Sequence, residues 1–262
     1  MSLSVVIVTK DEEANLARTL ESVRFATVAP NEVVVLDSGS TDRTVAIAHS
    51  FHAKVFVEEW KGYAAQKNSA IDKASGDWIL ALDADEVVEP ALAEEITSVT
   101  ISTASETAAF RIPFKHHFLG KLLRFGGMSP DRKTRLFRRG HARFGERAVH
   151  ESVAVFDADA HIGDLKHAIL HYGYPTLTGY LATMERYSTL AAEQMHADGR
   201  RPIPFFDTVL RPALSFIGRY IFLLGFLDGR AGLLFHYHHS RYVRAKYTKA
   251  LALQRAEERS AQ

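Results

Sequence analysis

The sequence contains no cysteine, which excludes a disulfide framework and thiolate chemistry. It has almost no net charge, +1 over 262 residues. Apolar residues at 47% and charged residues at 24% exclude disorder for most of the chain. No window reaches about 18 uncharged apolar residues, so no transmembrane helix is expected. The opening Met1-Ser2-Leu3-Ser4 has no basic region, and Val5 to Val8 is too short for the apolar part of a secretory signal, so none is expected. Neither G-x-x-x-x-G-K-[ST] nor G-x-G-x-x-G occurs, which argues against P-loop phosphate binding and dinucleotide-dependent dehydrogenation.

The small net charge hides an asymmetry. Residues 1–110 sum to −10 and residues 111–262 to +11. An acidic half binds a nucleotide only where a metal ion mediates. A basic half suits phosphate, nucleic acid or a membrane surface.

In the first hundred residues, short β-branched apolar runs alternate with helical periods. Ser4–Thr9, Glu32–Leu36, Lys54–Val57 and Trp78–Leu82 read as strands. Helices are expected over 12–24, 41–52 with Ser40 as N-cap, 62–75, and from Pro90. This is an α/β pattern with a mostly parallel sheet covered by helices. In such sheets ligands bind at the carboxyl ends of the strands. Three polar stretches fall there: Thr9-Lys10-Asp11-Glu12, Asp37-Ser38-Gly39-Ser40 and Asp83-Ala84-Asp85.

From 108 to 172, strand-like runs (109–114, 134–138, 148–156, 168–172) suit an antiparallel extension. Residues 176–198 read as a helix, and 203–250 are apolar and aromatic with periodic Arg and Lys. The tail 254–262 is expected to fray. The chain divides into a domain over 1–200 and a C-terminal amphipathic helical extension over 201–262.

Asp83 and Asp85, at i and i+2 on an extended strand end, would point the same way and address one hard divalent cation, Mg²⁺ or Mn²⁺. A lone D-x-D is common in solvated loops, and its place beside the other polar strand ends gives it weight. Asp37 can accept from a base or ribose hydroxyl, and Gly39 permits close backbone approach. Lys61, Gln66, Lys67 and Asn68 lie before and on the helix preceding the Asp83 strand. Arg132, Lys133, Arg135, Arg138 and Arg139 read either as a diphosphate clamp, with Arg135 favoured, or as a basic edge strand. Nucleic acid is disfavoured, since no reader helix or aromatic–basic interleaving accompanies the run. His236, His238 and His239 read as packing residues rather than metal ligands.

Together, Val5-Val6-Ile7-Val8-Thr9-Lys10-Asp11-Glu12, Val34 to Asp42, and Asp77 to Glu86 resemble the ordered blocks of glycosyltransferase family 2. Arg135 to Arg138, Val149-His150-Glu151, His171-Tyr172 and Gly225 to Gly229 resemble the branch holding lipopolysaccharide core β-glucosyltransferases. The resemblance implies a GT-A fold, a nucleotide-diphosphate sugar donor such as UDP-glucose, a divalent metal and inversion at the anomeric carbon. By position, it implies that Thr9 and Glu12 lie against the nucleotide, that Asp37 contacts the base, and that Asp83 meets the ribose or the metal. It implies Asp85 as metal ligand, and Lys67, Gly39, Ala84 and Arg135 around the donor. Many members place an aspartate after a glutamate as the base. No such pair occurs here beyond the Asp83 block, so Glu151 is the candidate base and His150 its rival.

The expected activity is hexose transfer, of glucose, to a glycolipid such as the lipopolysaccharide inner core. The enzyme is expected to sit peripherally on the cytoplasmic face of the inner membrane, with a homodimer interface as the other use of the C-terminal apolar segment. The alternatives are a non-catalytic sugar-nucleotide-binding protein at the membrane and a sugar nucleotidyltransferase. The latter lacks its glycine-rich entry after the first strand.

Overall fold

The computed structural model describes residues 1–24, 31–102, 107–129, 131–145 and 152–260. The first half alternates β1 (Leu3–Thr9), α1 (Leu16–Arg24), β2 (Glu32–Asp37), α2 (Thr44–Ser50), β3 (Lys54–Val57), α3 (Tyr63–Asp72), β4 (Trp78–Asp83), β5 (Glu86–Val88) and α4 (Pro90–Ser102). Strands then dominate: β6 (Thr107–Phe118), β7 (Lys121–Leu122), β8 (Asp131–Arg138), β9 (Ala142–Phe144), β10 (Val153–Val155), β11 (His161–Asp164) and β12 (Ile169–Tyr174). The helices α5 (Leu177–Ala197), α6 (Arg211–Ile217) and α7 (Gly229–Ser260) follow. Turns of π-helix, Phe206–Leu210 and Gly218–Phe222, flank α6, and a 3₁₀ turn, Gly225–Asp228, precedes α7.

The chain packs into two compact units, 1–114 with 130–171 and 115–129 with 172–262. Packing therefore divides the chain near 172, with α5 in the second unit, where sequence patterning divides it at 200.

In the first unit, β3, β2, β1 and β4 lie side by side and parallel, and β8 joins β4 antiparallel. The main sheet continues from β8 through β6 and β12 to β5. β1 is buried on both faces, which its uninterrupted apolar run anticipates. Val5 and Ile7 pack with α1, α2 and α4, through Leu16, Ala48 and Leu92. Val6 packs on the other face with Ala64 and Ile71 of α3 and with Phe144 of β9. The second unit centres on Phe118, Leu123, Tyr180, Ala231 and Phe235. In it, Lys249 Nζ donates to the Glu185 carboxylate (2.6 Å) and to the Ser188 and Thr189 hydroxyls (2.8 and 2.7 Å), tying α7 to α5.

Several boundaries differ from the sequence reading. Helix α1 begins at Leu16 rather than 12. Ser40 is not the cap of α2, which starts at Thr44: its hydroxyl instead donates to Asp37 (2.5 Å) and accepts from Asp11 N (2.8 Å). The tail does not fray at 254, since α7 runs to Ser260. The strands β5, β7, β9 and β11 are too short to show a period.

Glu32 opens β2 and is buried. It accepts from Ser4 Oγ (2.6 Å), Ser75 N (2.5 Å), Ser75 Oγ (2.8 Å) and Lys54 Nζ (2.6 Å). Burial pushes its carboxyl up, but the Lys54, Ser4 and Ser75 donors win and hold it at about 2, against an ordinary 4.5. A depressed folded-state value stabilises the fold above the unfolded value and loses that effect as pH falls toward about 2. Glu32→Ala should therefore cost about 2–3 kcal/mol at neutral pH. Denaturant titration should show the gap between variant and wild type narrowing below pH ~4. A gap independent of pH would remove the ionised carboxylate from the explanation.

Candidate active site

Strand register gathers the polar strand ends. In the β1–β2 ladder Thr9 stands opposite Asp37, and in the β1–β4 ladder Val8 stands opposite Asp83. Three stretches far apart in sequence thus converge at the carboxyl edge of the parallel strands.

Asp37 is fully buried. Its Oδ1 accepts from Gly39 N (2.9 Å) and Ser40 N (2.8 Å), and its Oδ2 accepts from Ser40 Oγ (2.5 Å). The carboxylate thus organises the loop that follows it. Gly39 has φ +84°, and a Cβ there would meet nothing within 4 Å. Its glycine is required by backbone conformation rather than by crowding. Thr9 is buried, its carbonyl accepts from Ser38 N (2.9 Å), and its Oγ1 has no hydrogen-bond partner among the described residues.

The Asp83-Ala84-Asp85 segment departs from the extended geometry expected of it, because Ala84 and Asp85 form the turn between β4 and β5. The two carboxylates consequently meet different partners. Asp83 Oδ1 pairs with Lys67 Nζ at 2.8 Å, and Asp83 Oδ2 with Arg135 Nη2 at 2.9 Å. Burial opposes the charge on Asp83, but Lys67 and Arg135 overcome it and hold the carboxyl well below the usual range. Asp85 Oδ2 instead faces His171 Nε2 at 3.3 Å. Ala84 is in the core, and its carbonyl accepts from Thr19 Oγ1 (2.6 Å).

Glu86, which sequence reasoning passed over as a site residue, is 1% exposed. Its Oε1 accepts from Arg135 Nη2 (2.6 Å) and its Oε2 from Asp83 N (2.9 Å). Burial first, with Asp83 and Asp85 adding repulsion against the pull of Arg135, pushes its carboxyl up to about 7. Burial also raises Glu12, against an opposing bond from Asn15, and Asp85, Asp42 and Asp83 raise it further. His171 is the second omission. Burial works against its charged form, yet Asp85 and Glu86 carry its pKa above the ordinary value. The signal for His171 was the His171-Tyr172 pair, but only the β12–β5 ladder, with His171 opposite Glu86, explains its position.

The surrounding candidates divide by contact. Lys67, on α3, is buried and also lies over the Phe144 ring at 5.1 Å. Asn68 exchanges two bonds with the Phe144 backbone (2.9 and 3.0 Å), so it positions β9. Gln66 accepts from Lys61 N (3.2 Å). Of the basic run, Arg135 pairs with Asp83, whereas Arg132 lies 3.5 Å from Asp164 and Lys133 3.5 Å from Asp131. Arg132 bonds Leu165 O, Arg138 bonds Thr107 O and Arg139 bonds Gly76 O. Lys133 lies over the Phe114 ring, as Arg135 does (4.6 and 5.4 Å), and its charge acts on His171. The candidate bases Glu151 and His150 lie outside the described residues.

Comparison with known proteins fits this geometry. The family model for glycosyl transferase family 2 matches residues 4–153. The chain is 28% identical over 249 residues to the lipopolysaccharide core biosynthesis glycosyltransferase LpsC of Rhizobium meliloti (strain 1021), covering 90% of this chain and 89% of the relative. It is 32% identical over 277 residues to an uncharacterized glycosyltransferase of Rickettsia bellii (strain RML369-C), covering 96% and 87%. Among solved structures, a mannosyltransferase of Pyrobaculum calidifontis in complex with GDP-Man and Mn²⁺ aligns with TM-score 0.53 at 16% identity, over 95% of this chain and 86% of that one. TarS 1–349 of S. aureus in complex with UDP-GlcNAc aligns with TM-score 0.50 at 16% identity, over 98% and 92%. At such identities the likeness is one of fold, the GT-A arrangement expected from the strand-end blocks.

Proposed function

The chain belongs to glycosyltransferase family 2, and from that premise we propose that it is a metal-dependent, inverting hexosyltransferase. Its donor is a nucleotide-diphosphate sugar, UDP-glucose, and its acceptor a glycolipid of the lipopolysaccharide inner-core type. The observation that carries the reading is the Asp85–His171 pair, 3.3 Å apart, beside an Asp83 pinned by Lys67 and Arg135. The kinship with a lipopolysaccharide core glycosyltransferase over 90% of the chain supports the acceptor class.

A divalent cation fits these residues. A carboxylate oxygen and an imidazole nitrogen at 3.3 Å are spaced like neighbouring ligands on one ion, about 3 Å apart. Among the described residues no group of three or more His, Cys, Asp or Glu could hold a metal by itself. Substrate phosphate oxygens and water would supply the remaining ligands of such an ion. Asp85 and His171 would hold it, as Mn²⁺ or Mg²⁺. When bound, such an ion offsets the charge that develops on the departing diphosphate.

The other residues orient and move a proton. Asp83, both oxygens engaged by cations, addresses the ribose rather than the ion. Asp37 fixes the loop Ser38-Gly39-Ser40 against the nucleotide, with Thr9 and Glu12 beside it. The acceptor hydroxyl attacks the anomeric carbon from the face opposite the diphosphate. A carbon–oxygen bond forms there while the bond to the diphosphate breaks. Glu151, with His150 as its rival, takes the hydroxyl proton.

A panel of nucleotide sugars tests the reading. UDP-glucose should be consumed in the presence of Mn²⁺, with activity lost to a chelator and restored by added metal. E151Q should bind donor but lose transfer. Full activity in E151Q would move the base to His150, and conversion of UDP-glucose with added pyrophosphate into UTP and glucose 1-phosphate, in place of transfer, would make the enzyme a nucleotidyltransferase.

A further inference from the structure

The second unit has an inverted surface. Of 23 exposed large apolar side chains among the described residues, 15 lie between 203 and 237. Leu210, Leu214, Ile217 and Ile221 fall at i, i+4, i+7 and i+11, one face of a helix, and all four are exposed. A helix in water turns such a stripe inward. Here the inward side holds Asp207 and Pro212 instead.

The hairpin reverses at Leu223 and Leu224, where Leu224 takes a left-handed backbone with φ 59°. Phe222, beside that bend, is 77% exposed. The root is well fastened. Leu223 O accepts from Gly126 N (2.8 Å), and Asp228 accepts from Arg124 N and Phe125 N (3.1 and 3.0 Å). His236 fills the space beside Gly126 and Gly225, where a Cβ on either glycine would come within 2.0 and 2.5 Å of its ring. The apolar tip is therefore a built projection.

Charge decides what covers it. Between Asp198 and Glu257 the chain has ten Lys and Arg, and Asp207 and Asp228 are the only acids. Both acids are buried, at 5% and 8% exposure, and both are bonded internally. The outward face of this segment therefore carries cations and no carboxylate. A second copy placed against it would bring cation to cation with no acid to match. An anionic lipid surface matches both properties, since apolar side chains enter the acyl boundary and long cations reach the headgroups. Among the described residues no single helix is long and apolar enough to cross a membrane. Phe206–Phe222 and Gly225–Arg259 are together long and apolar enough, but they are bent by 73° at the break between them. Arg211, Arg219 and Arg230 recur along them. This geometry fits entry into one leaflet.

We propose that the hairpin 203–233 is a wedge that inserts into one leaflet of an anionic bilayer, with Phe222 to Leu224 deepest. Lys121 and Arg230 line a cavity of about 370 Å³ with Leu119, Leu177, Ala231 and Leu234, which seats a lipid phosphate at the root. The proposal goes beyond the transferase reading and does not depend on it, because vesicle binding is measured without donor or metal.

The test is flotation of the full chain with phosphatidylcholine vesicles and with vesicles part-substituted by phosphatidylglycerol, at low and high salt. The chain should float with the anionic vesicles, and salt should weaken binding without abolishing it. F222S/L223S should lower partitioning at least about tenfold, because two large apolar side chains no longer leave water. I101S, at a residue 61% exposed in the first unit, should change nothing. Should the double variant misfold, F222W supplies the reading: its emission should shift to the blue on vesicles and be quenched by brominated acyl chains. No flotation, binding erased by salt, an unshifted F222W, or a wild-type dimer that F222S/L223S converts to monomer would each overturn the proposal.

Discussion

Asp85→Ala should reduce sugar transfer by about 10³-fold or more while leaving the fold intact, since removing one preorganised electrostatic group typically costs 10²–10³ and here the ion goes with it. The reason lies in how the two aspartates differ. Asp83 is neutralised by Lys67 and Arg135, with both oxygens taken. Asp85 has only His171 opposite it among the ion pairs of the described residues, so it retains the coordination capacity that a divalent cation needs. Removing Asp85 leaves His171 without its main carboxylate partner, so His171→Ala should give a loss of similar size. Because the two would act through one ion, D85A/H171A should lose little more than either single variant. Kinetics across a Mn²⁺ titration separate this from a general loss of shape. D85A should show a raised metal requirement or none that can be met, with a melting temperature close to wild type. Turnover in D85A within a few-fold of wild type at the same Mn²⁺ would remove Asp85 from the metal site.

Much of this site was legible because parallel strands announce themselves. β1, β2 and β4 are uninterrupted apolar runs, and each ends in polar residues, so Thr9, Asp37 and Asp83 could be grouped from strand direction alone. What stayed hidden arrives by non-local pairing. His171 reaches Asp85 because β12 pairs with β5, and β5 is three residues long, squeezed between the Asp85 turn and Pro90. No period can be read in three residues. Arg135 could be favoured among the basic residues, but not for its true neighbours. Its contact with Asp83 requires β8 to run antiparallel beside β4, with Leu136 opposite Leu80. The i, i+2 alternation of Asp83 and Asp85 failed for a local reason, a turn where an extended end was expected. In 203–227 the opposite limitation applied. A helical period fixes which residues share a face, but not whether that face meets a core or the outside, and here the apolar stripe is exposed.

The second large effect concerns Arg135, whose removal should damage stability and activity together. Arg135 is 5% exposed, and its guanidinium donates from Nη2 to both Asp83 (2.9 Å) and Glu86 (2.6 Å). Arg135→Met keeps the aliphatic bulk and deletes the charge, leaving two carboxylates facing each other. Breaking a buried pair in this way costs about 3–5 kcal/mol. Glu86, already pushed up to about 7, softens the blow by taking a proton, so about 2–3 kcal/mol is the expected loss. For a unit of this size that lowers the melting temperature by roughly 4–12 °C. Arg135→Lys should rescue only part of the loss, because an ammonium on a shorter stem cannot reproduce the planar fork. The double variant R135M/E86Q should recover about 1–2 kcal/mol relative to R135M, since Gln, unlike Glu86, need not take up a proton on folding and can still accept from Asp83 N. Catalysis should not recover with it. Asp83 would keep only the Lys67 contact, and the donor KM should stay raised in R135M/E86Q even as its melting temperature returns toward wild type. Recovery of both together would make Arg135 a stabilising residue alone; recovery of neither would mean that Glu86 is not the group it neutralises.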